Sequence, residues 1–412
     1  MVQPHGATIQ TDNEAPDKTL VASLHRLRLY IESEEFKGYD PYDTLTSPIP
    51  FSALTRWTPV IVTQIQKRNP VNIRPILRIK KDYNPKAIGL LLKAYVQIQQ
   101  IFPSDDYSNQ IGFLFNWLSE NASKDFSGPC WGYNFGWASP EKYLPPNAPT
   151  VVATSFIAQG IHEYFLWSKN TKAAELLKGI AEFITKDLPV TNFSEGICYS
   201  YSPFMTDCCY NASLLAAETL ARVYSMTGEE MLKEKAISAT DFVVSKQHPD
   251  GHWKYKIDPV TSKERHQVDF HQGYILDSIQ TVMFYCKHKP ENWTVARRRG
   301  LDFYLTKQFF QTGRSLWRLP TEYPVEIHNQ SQGIITFSRA ANEGKQFLSF
   351  ANTISSWTIK NMQDKKSGYF YYRKLRFYTN KLSFMRWNNA WMLLALSEHL
   401  LARKQLTLSQ HA

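Results

Sequence analysis

Two short polar clusters in this chain combine residue types that transfer protons. The first reads His266-Gln-Val-Asp269-Phe-His271-Gln272, and the second reads Glu326-Ile-His328-Asn329-Gln330. Imidazole and carboxyl groups held side by side can act as general acids and bases, for example on a glycosidic bond or on a sugar C–H bond. The candidate catalytic residues are Asp269, His271, Glu326 and His328, together with Tyr201, whose phenol can also carry a proton.

Simpler roles compete with catalysis at these positions. Asp269 and Glu326 each precede a predicted helix, where a carboxylate can serve as an N-terminal cap. Asp207, a third candidate acid, is better interpreted as the cap of a helix that begins near Tyr210. A metal site is disfavoured because His266 and His271 lie five residues apart instead of at the i, i+4 spacing of one helix face. We expect no metal ion and no cofactor.

The segments that must position these residues recur along the chain. A glycine, a short run rich in Tyr and Trp, and then a helix of small and apolar residues follow one another five times, at intervals of roughly 55 to 70 residues. The copies read GPCWGYNFGW from Gly128, EGICYSYSP from Glu195, DGHWKYKIDP from Asp250, TGRSLWRLP from Thr312 and SGYFYYRKLRFY from Ser367. This interval is too long for a simple helix pair and suits a helical hairpin with an elaborated loop.

Hydrophobic periodicity predicts about thirteen helices of two alternating kinds. One kind, such as residues 171–186, has a charged face and an apolar face, as an outer helix with one wet side must. The other kind, such as residues 150–165, is small or apolar nearly all round and should be packed on both sides. Counting from the second helix, near residues 53–67, gives six outer and six inner helices, with the first helix as an addition. This alternation predicts an all-α fold, an (α/α)6 toroid.

The predicted toroid is a single domain over residues 19–404. A disordered segment is expected at residues 1–18 and a short tail at 405–412. In such a ring each aromatic loop precedes an inner helix, so all the loops gather at one end and form a funnel. The aromatic residues expected to line it are Trp131, Tyr133, Trp137, Tyr199, Tyr201, Trp253, Tyr255, Trp317, Tyr371 and Tyr372.

Aromatic faces suit the C–H faces of sugar rings, and polar side chains nearby can bind sugar hydroxyls. The candidate substrate-binding residues are Trp131, Tyr133, Trp137, Tyr199, Trp253, Tyr255, Trp317, Gln272, Asn329, Tyr372 and Arg386. Any single ring among them has an alternative role, which is to fill the space between adjacent hairpins. The cluster as a whole predicts a carbohydrate site.

The charge of the chain is strongly positive, at +10, which favours polyanionic partners. Basic residues crowd two connections, at residues 67–86 and 373–386, and these would be neighbours in a closed ring. One positive wall formed from both would suit carboxylated or sulfated sugars; the alternative is a solvated basic face. Nucleic acid is disfavoured because no helix-turn-helix, zinc-finger or RNA-binding sheet pattern occurs.

Several other classes lack support in the sequence. The GxGxxG, GxxxxGK[ST] and GxSxG motifs do not occur, which argues against nucleotide-dependent transfer and α/β-hydrolase chemistry. The five cysteines form no CxxC pair, and neither a signal peptide nor an apolar run long enough for a membrane span is present. These features predict a cytoplasmic protein without disulfide bonds.

With its aromatic loops and inner helices, the chain resembles the six-hairpin glycosidase-like superfamily, which includes glycoside hydrolases, polysaccharide lyases and sugar epimerases. The segments FKGYDPYD from Phe36, YNPKAIGLLLKAY from Tyr83, APTVVATSFIAQGI from Ala148 and VEIHNQSQGIITF from Val325 resemble, more narrowly, proteins of prokaryotic polysaccharide-biosynthesis clusters. The resemblance spans residues 20–400. It implies a role in making or modifying a polysaccharide, with other biosynthesis proteins as possible partners.

Two hypotheses follow from these observations. The first is an enzyme that acts on a polysaccharide or oligosaccharide by acid–base chemistry, with hydrolysis, elimination and epimerisation all open. The second is a noncatalytic component that binds glycan or holds a biosynthetic assembly together. They differ in whether the ionisable residues of the funnel are needed for turnover.

Overall fold

The protein folds as a ring of helices, here described from a computed structural model. The structure describes residues 14–51, 55, 57–139 and 143–411. Within this part of the chain there are thirteen α-helices: α1 (Glu14–Ser33), α2 (Thr58–Arg68), α3 (Pro85–Ile101), α4 (Ser108–Glu120), α5 (Val151–Ser168), α6 (Thr171–Glu182), α7 (Tyr210–Thr227), α8 (Glu230–Ser245), α9 (His271–Tyr285), α10 (Glu291–Lys307), α11 (Ile327–Arg339), α12 (Lys345–Met362) and α13 (Trp391–His411). The predicted number of helices is confirmed.

Six helices form the inner ring. Helices α3, α5, α7, α9 and α11 each contact the next in this order, α11 contacts α13, and α13 contacts α3, which closes the circle. The inner helices are apolar or small all round because they pack on both sides: the first twelve residues of α5, from Val151 to His162, are all buried. The predicted all-α (α/α)6 toroid is confirmed.

The inner helices approach closely where they carry glycine. A Cβ atom added to Gly89 of α3 would lie 2.7 Å from the Cα atom of Ile157 in α5, and one added to Gly160 would lie 2.3 Å from the carbonyl oxygen of Gly89. Such distances are far inside van der Waals contact. Glycine at these two positions therefore sets the tight crossing of α3 and α5.

The assignment of the sixth outer helix was wrong. Helix α1, predicted as an addition, packs on α12 and α13. It buries Leu20, Leu24, Leu27 and Ile31, and so completes the outer ring. Helix α2, predicted as an outer helix, buries only Pro59, Thr63 and Gln66 and contacts loop segments instead. The helical spacing of its apolar residues predicts a face that packs on the core, but the toroid has no core surface for that face.

Among the described residues, ten short strands order the loops between helices: β1 (Trp137–Ala138), β2 (Tyr143–Leu144), β3 (Val190–Phe193), β4 (Gly196–Tyr199), β5 (Cys208–Cys209), β6 (Lys256–Ile257), β7 (Glu264–Arg265), β8 (Val325–Glu326), β9 (Arg373–Lys374) and β10 (Thr379–Asn380). All pair antiparallel. Two three-stranded sheets, β5-β6-β7 and β10-β9-β8, join loops that belong to neighbouring hairpins. The loops at this end of the ring are thereby held in register with one another.

The termini differ from the predicted boundaries. Helix α1 begins at Glu14, before the predicted start at Thr19, and α13 continues to His411 through most of the predicted tail. Residues 1–13 of the predicted N-terminal segment lie outside the described residues. Among the helices that are described, none is long and apolar enough to cross a membrane.

Candidate active site in the toroid

A cavity of about 780 Å³ opens at the end of the ring where the inner helices begin. Its wall is built from the loops that precede α5, α7, α9, α11 and α13, and one side is closed by α2. The predicted site residues that line it are Tyr133, Trp137, Tyr201, Tyr255, Asp269, His271, Trp317, Glu326, His328, Asn329 and Arg386. The structure thus brings together the two polar clusters, which are separated by more than fifty residues in sequence.

The remaining predicted aromatic residues do not line this cavity. Trp131, Tyr199, Trp253 and Tyr372 are fully buried between hairpins, and the Tyr371 hydroxyl donates to Asp364 at 3.0 Å. The indole N–H of Trp131 donates to the carbonyl of Leu118, and that of Trp253 to the carbonyl of Val243. These rings fill space between helices, which was the alternative role considered for them.

One contact repeats in five hairpin loops and explains part of this pattern. In each loop a backbone N–H donates to a side-chain oxygen that lies in the first turns of the following inner helix or, for Asn389, two residues before that helix begins. The five pairs are Trp131 with Thr154 at 3.0 Å, Tyr199 with Ser213 at 3.1 Å, Trp253 with Gln272 at 2.9 Å, Ser315 with Gln330 at 2.7 Å and Phe370 with Asn389 at 3.1 Å. Gln272, predicted to bind substrate, is therefore committed to holding its loop in place.

Asp269 and His271 form a hydrogen-bonded pair at the start of α9. The Asp269 Oδ1 atom lies 2.5 Å from His271 Nδ1, and Oδ2 accepts a hydrogen bond from Gln267 at 2.9 Å and lies 3.3 Å from Nε of Arg318. Burial alone would raise the pKa of Asp269, but His271 and Arg318 hold it below its ordinary value. The ionised carboxylate fixes the imidazole with Nδ1–H donating, which leaves Nε2 to accept a proton in the cavity.

His328 and Tyr274 form a second pair. The Tyr274 hydroxyl lies 2.5 Å from His328 Nε2, and both side chains line the cavity. Burial, reinforced by the positive charges of Lys86 and Arg386, holds the pKa of His328 well below its ordinary value. Burial also raises the pKa of Tyr274. The pair is therefore neutral, with a phenol that is hydrogen-bonded to an uncharged imidazole.

Phe270 lies against both imidazoles. Its ring centroid is 4.2 Å from that of His271 and 4.2 Å from that of His328, in near-stacked geometry in both cases. The two proton-carrying groups thus share one apolar neighbour and face the same small volume.

The Glu326 carboxyl group accepts hydrogen bonds from three donors. One oxygen accepts from the indole N–H of Trp387 at 2.7 Å, and the other accepts from Trp317 at 3.1 Å and from Arg373 at 3.0 Å. Glu326 occupies the cap position of α11 but makes no capping hydrogen bond. Its contacts orient two tryptophans at the cavity wall instead.

Asp207 accepts a hydrogen bond from the backbone N–H of Tyr201 at 2.8 Å. Helix α7 is preceded by Cys209 and has no side-chain cap. The predicted capping role of Asp207 was therefore wrong, because Asp207 stabilises the loop before the helix.

Tyr201 lies in the aromatic part of the wall. Its ring stacks on Trp137 with 6.3 Å between centroids, and burial raises its pKa well above the ordinary value. Tyr255 meets His271 edge to face at 4.9 Å. These rings offer apolar faces beside the two histidines, in the arrangement expected for stacking against a sugar ring.

Arg386, predicted to bind substrate, is paired within the protein. Its guanidinium donates to both oxygens of Asp40, at 2.6 and 2.8 Å, and it is 3% exposed. It also lies over the rings of Tyr133 and Trp387, with distances of 4.9 and 5.0 Å to the centroids. Arg386 therefore ties the segment before α3 to the segment that leads into α13, and it contributes positive potential to the cavity floor.

Lys86 is a buried cation of the cavity lining, and it makes no ion pair with a carboxylate among the described residues. It lies in the first turn of α3, is 3% exposed, and its ammonium group lies 4.2 Å from the Phe156 ring centroid and 5.2 Å from that of Trp391. Burial, with repulsion from Arg386, holds the pKa of Lys86 well below its ordinary value. The negative charge of Asp40 opposes this lowering of the pKa but does not outweigh it.

Sequence reasoning missed Tyr274, Phe270 and Trp387 and gave Lys86 no separate role. Tyr274 follows His271 by three residues, so on α9 both side chains share one face. That spacing was a signal that could have been used. The contact between Trp387 and Glu326 joins residues 61 apart in sequence and left no comparable signal.

Solved structures of other proteins share the toroid fold of this chain. A cellobiose 2-epimerase from Bacillus thermoamylovorans superimposes with a TM-score of 0.62 at 14% identity, over 78% of this chain and 88% of that one. A family 76 α-mannanase from Bacteroides thetaiotaomicron gives 0.60 at 14% identity, over 80% and 89%. A possible member of family 105 from Salmonella enterica gives 0.62 at 12% identity, over 98% and 100%.

At these identities the similarity establishes the architecture of the chain, and function must be argued from the cavity. No model of a protein family matches the chain, and no curated protein matches it in sequence.

Proposed function

We propose that this protein is a carbohydrate-active enzyme that removes a proton from a sugar carbon within the toroid cavity. The observation that carries the proposal is the pairing at the cavity floor: Asp269 with His271, and His328 with Tyr274, both against Phe270. One pair contains an imidazole backed by a carboxylate, and the other contains a neutral phenol. Together they supply a base and an acid on one substrate.

In the proposed reaction the Nε2 atom of His271 takes the proton from carbon, and the Asp269 carboxylate stabilises the imidazolium that forms. The Tyr274 hydroxyl then gives up its proton. If that proton goes to the same carbon, the product is an epimer; if it goes to the departing glycosidic oxygen, a double bond forms and the chain is cleaved by elimination. Exchange of protons with water afterwards restores His271 and Tyr274.

Hydrolysis has less support from the same cavity. Glycoside hydrolases commonly use one protonated and one ionised carboxyl group. Here Glu326 is tied to Arg373 and two indole N–H groups, and His271 and Arg318 lower the pKa of Asp269. Neither carboxylate is arranged to donate a proton to a leaving group.

The lining charges favour an anionic sugar, such as a uronic acid. Eight lysines and arginines line the cavity against three carboxylates: Lys67, Arg68, Lys86, Lys256, Arg265, Arg318, Arg373 and Arg386, with Asp207, Asp269 and Glu326. Of these cations, Lys86 is buried and lacks a carboxylate partner within the described chain. A substrate carboxylate beside Lys86 would restore its charged form and form a buried ion pair. A carboxylate next to the reacting carbon also acidifies the C–H bond.

The cellular setting is part of the proposal. The sequence segments that resemble proteins of polysaccharide-biosynthesis clusters support a role in the cytoplasmic stages of such a pathway, with other proteins of the pathway as partners. A noncatalytic glycan-binding component remains the alternative that the following experiment separates.

The test is to incubate the protein with neutral and uronic-acid oligosaccharides in deuterated water and to follow each mixture by mass spectrometry. Deuterium bound to carbon indicates epimerisation, and an unsaturated product indicates elimination. Replacing His328 or His271 with Gln should lower turnover by about 10²–10⁴-fold while affinity stays within a few-fold. His266→Gln, at an exposed histidine outside the cavity wall, is the matched control.

Other outcomes would refute specific parts of the proposal. A hydrolytic product without carbon-bound deuterium would refute proton removal from carbon. Binding without turnover would favour the noncatalytic alternative. Lys86→Met should weaken binding of uronic acids by about tenfold or more and leave neutral sugars unaffected; an equal effect on both would refute the anionic subsite.

A further inference from the structure

Exposed apolar side chains cluster in one segment beside the cavity. Ile49, Trp57, Ile61, Ile65, Val71 and Ile76 are all at least 44% exposed, and Ile76 reaches 81%. All six lie within the connection between α1 and α3. So many large apolar residues exposed in one stretch are typical of an interaction surface.

Helix α2 has three distinct faces. Pro59, Thr63 and Gln66 are buried against the protein. Val60, Gln64 and Lys67 line the cavity. Trp57, Ile61 and Ile65 follow one another at a spacing of four residues, so they form a single stripe, and this stripe faces solvent. The helix therefore presents an apolar edge at the rim of the cavity.

A turn beside α2 continues this surface. The turn between β9 and β10 carries Phe377, which is 90% exposed, and Tyr378, which also lines the cavity. This turn lies next to α2, because the side-chain amide of Asn380 donates to the carbonyl of Asn69 at 3.4 Å. We call these residues, with the stripe on α2, the rim surface.

The two chain segments that carry the rim surface contain charges of one sign only. Residues 44–81 contain seven lysines and arginines and no aspartate or glutamate. Residues 365–397 likewise contain seven lysines and arginines and no aspartate or glutamate. Arg74, Arg373 and Arg386 are paired with carboxylates inside the protein. Arg68, Arg78, Lys80, Arg376 and Lys381 are exposed to solvent.

We propose that the rim surface binds an anionic membrane surface. Apolar side chains on a helix edge enter the interface between headgroups and acyl chains, while nearby lysines and arginines bind lipid phosphates. A second copy of this chain fits the charge less well, because the positively charged segments of the two copies would repel each other. In this orientation the cavity opens towards the membrane, where a glycan carried on a lipid would reach it.

The experiment measures sedimentation of the full-length protein with vesicles of phosphatidylglycerol and phosphatidylcholine, compared with vesicles of phosphatidylcholine alone. Binding to the anionic vesicles is expected, with a loss of about tenfold or more when salt is raised from about 0.1 M to about 0.5 M. The variant Ile61→Asp/Ile65→Asp should reduce binding by a similar factor. Both residues lie outside the cavity wall and are exposed, so the variant should fold and keep its activity on soluble glycans.

The control variant is Leu166→Asp/Phe284→Asp. These residues are exposed at the ends of α5 and α9 that lie away from the cavity. They should leave vesicle binding unchanged. If the protein does not bind anionic vesicles, if both variants lose binding equally, or if Ile61→Asp/Ile65→Asp instead dissociates a dimer seen by sedimentation velocity, the proposal is wrong. Because vesicle binding needs no turnover, this result is independent of the proposed chemistry.

Discussion

Acid should destabilise this fold through buried neutral histidines, and His162 allows the effect to be measured. His162 is 1% exposed, and within the described chain neither ring nitrogen has a hydrogen-bond partner. Burial, together with the positive charges of Arg222, Lys93 and Lys169, lowers its pKa to about 2. The unfolded chain titrates this group near the ordinary value of about 6.5. The folded state therefore excludes a proton that the unfolded state binds.

The size of the effect follows from linkage. Since the folded pKa lies below the unfolded one, the stability contributed by neutral His162 is complete above about pH 6.5 and is lost as the pH falls towards 2. Between pH 7 and pH 5 His162 becomes protonated in the unfolded chain only. Over the span of about 1.5 pH units below its ordinary pKa, this protonation lowers the free energy of unfolding by about 2 kcal/mol. His399, whose pKa is lowered to about 3 mainly by burial, adds to the slope of the wild-type protein.

The assay is urea-induced unfolding of the wild-type protein and of His162→Leu at pH 7 and at pH 5. Leucine cannot bind a proton, so the loss of unfolding free energy between the two pH values should be smaller by about 2 kcal/mol in the variant. His266→Leu, at an exposed position, serves as the control and should leave the pH dependence as in wild type. If His162→Leu keeps the full wild-type pH dependence, the assignment of a buried neutral imidazole is incorrect.

Two further predictions concern closure of the ring. Asp40→Asn removes the charge that pairs with buried Arg386 and should cost about 3–5 kcal/mol in urea unfolding, while the double variant with Arg386→Met should recover part of that loss; purely additive effects would contradict the pairing. Gly89→Ala should cost about 1–3 kcal/mol because its Cβ would press on the backbone of α5, whereas Gly112→Ala, which meets nothing within 4 Å, should stabilise by about 0.5–1 kcal/mol. Equal stability of the two glycine variants would refute the tight helix crossing.

The sequence was sufficient to predict the ring because helix period and burial are local signals. Outer helices such as α6 show one wet face, and inner helices such as α5 show none, so the alternation could be counted directly. The same rule failed for α2. Its apolar residues have a helical spacing, which predicts contact with the core. In the completed ring, however, α1 fills the sixth outer position.

The candidate site was predictable where function and local structure coincide. Asp269, His271, Glu326 and His328 precede or begin inner helices, and all such positions must meet at one end of a toroid. The partners that decide their chemistry were not predictable. Arg373 and Trp387 reach Glu326 across 47 and 61 residues of sequence, and no pattern along the chain records such contacts.

Through the five repeated contacts, each of these loops is attached at the start of its own inner helix. Each attachment requires only a side-chain oxygen near the start of an inner helix, and Thr, Ser, Gln and Asn all provide one. The residues that face the cavity can therefore change in one loop while the attachment of that loop to its inner helix is kept. In such a ring, substitutions confined to the loops can alter which substrate is bound, while the helices and the fold stay the same.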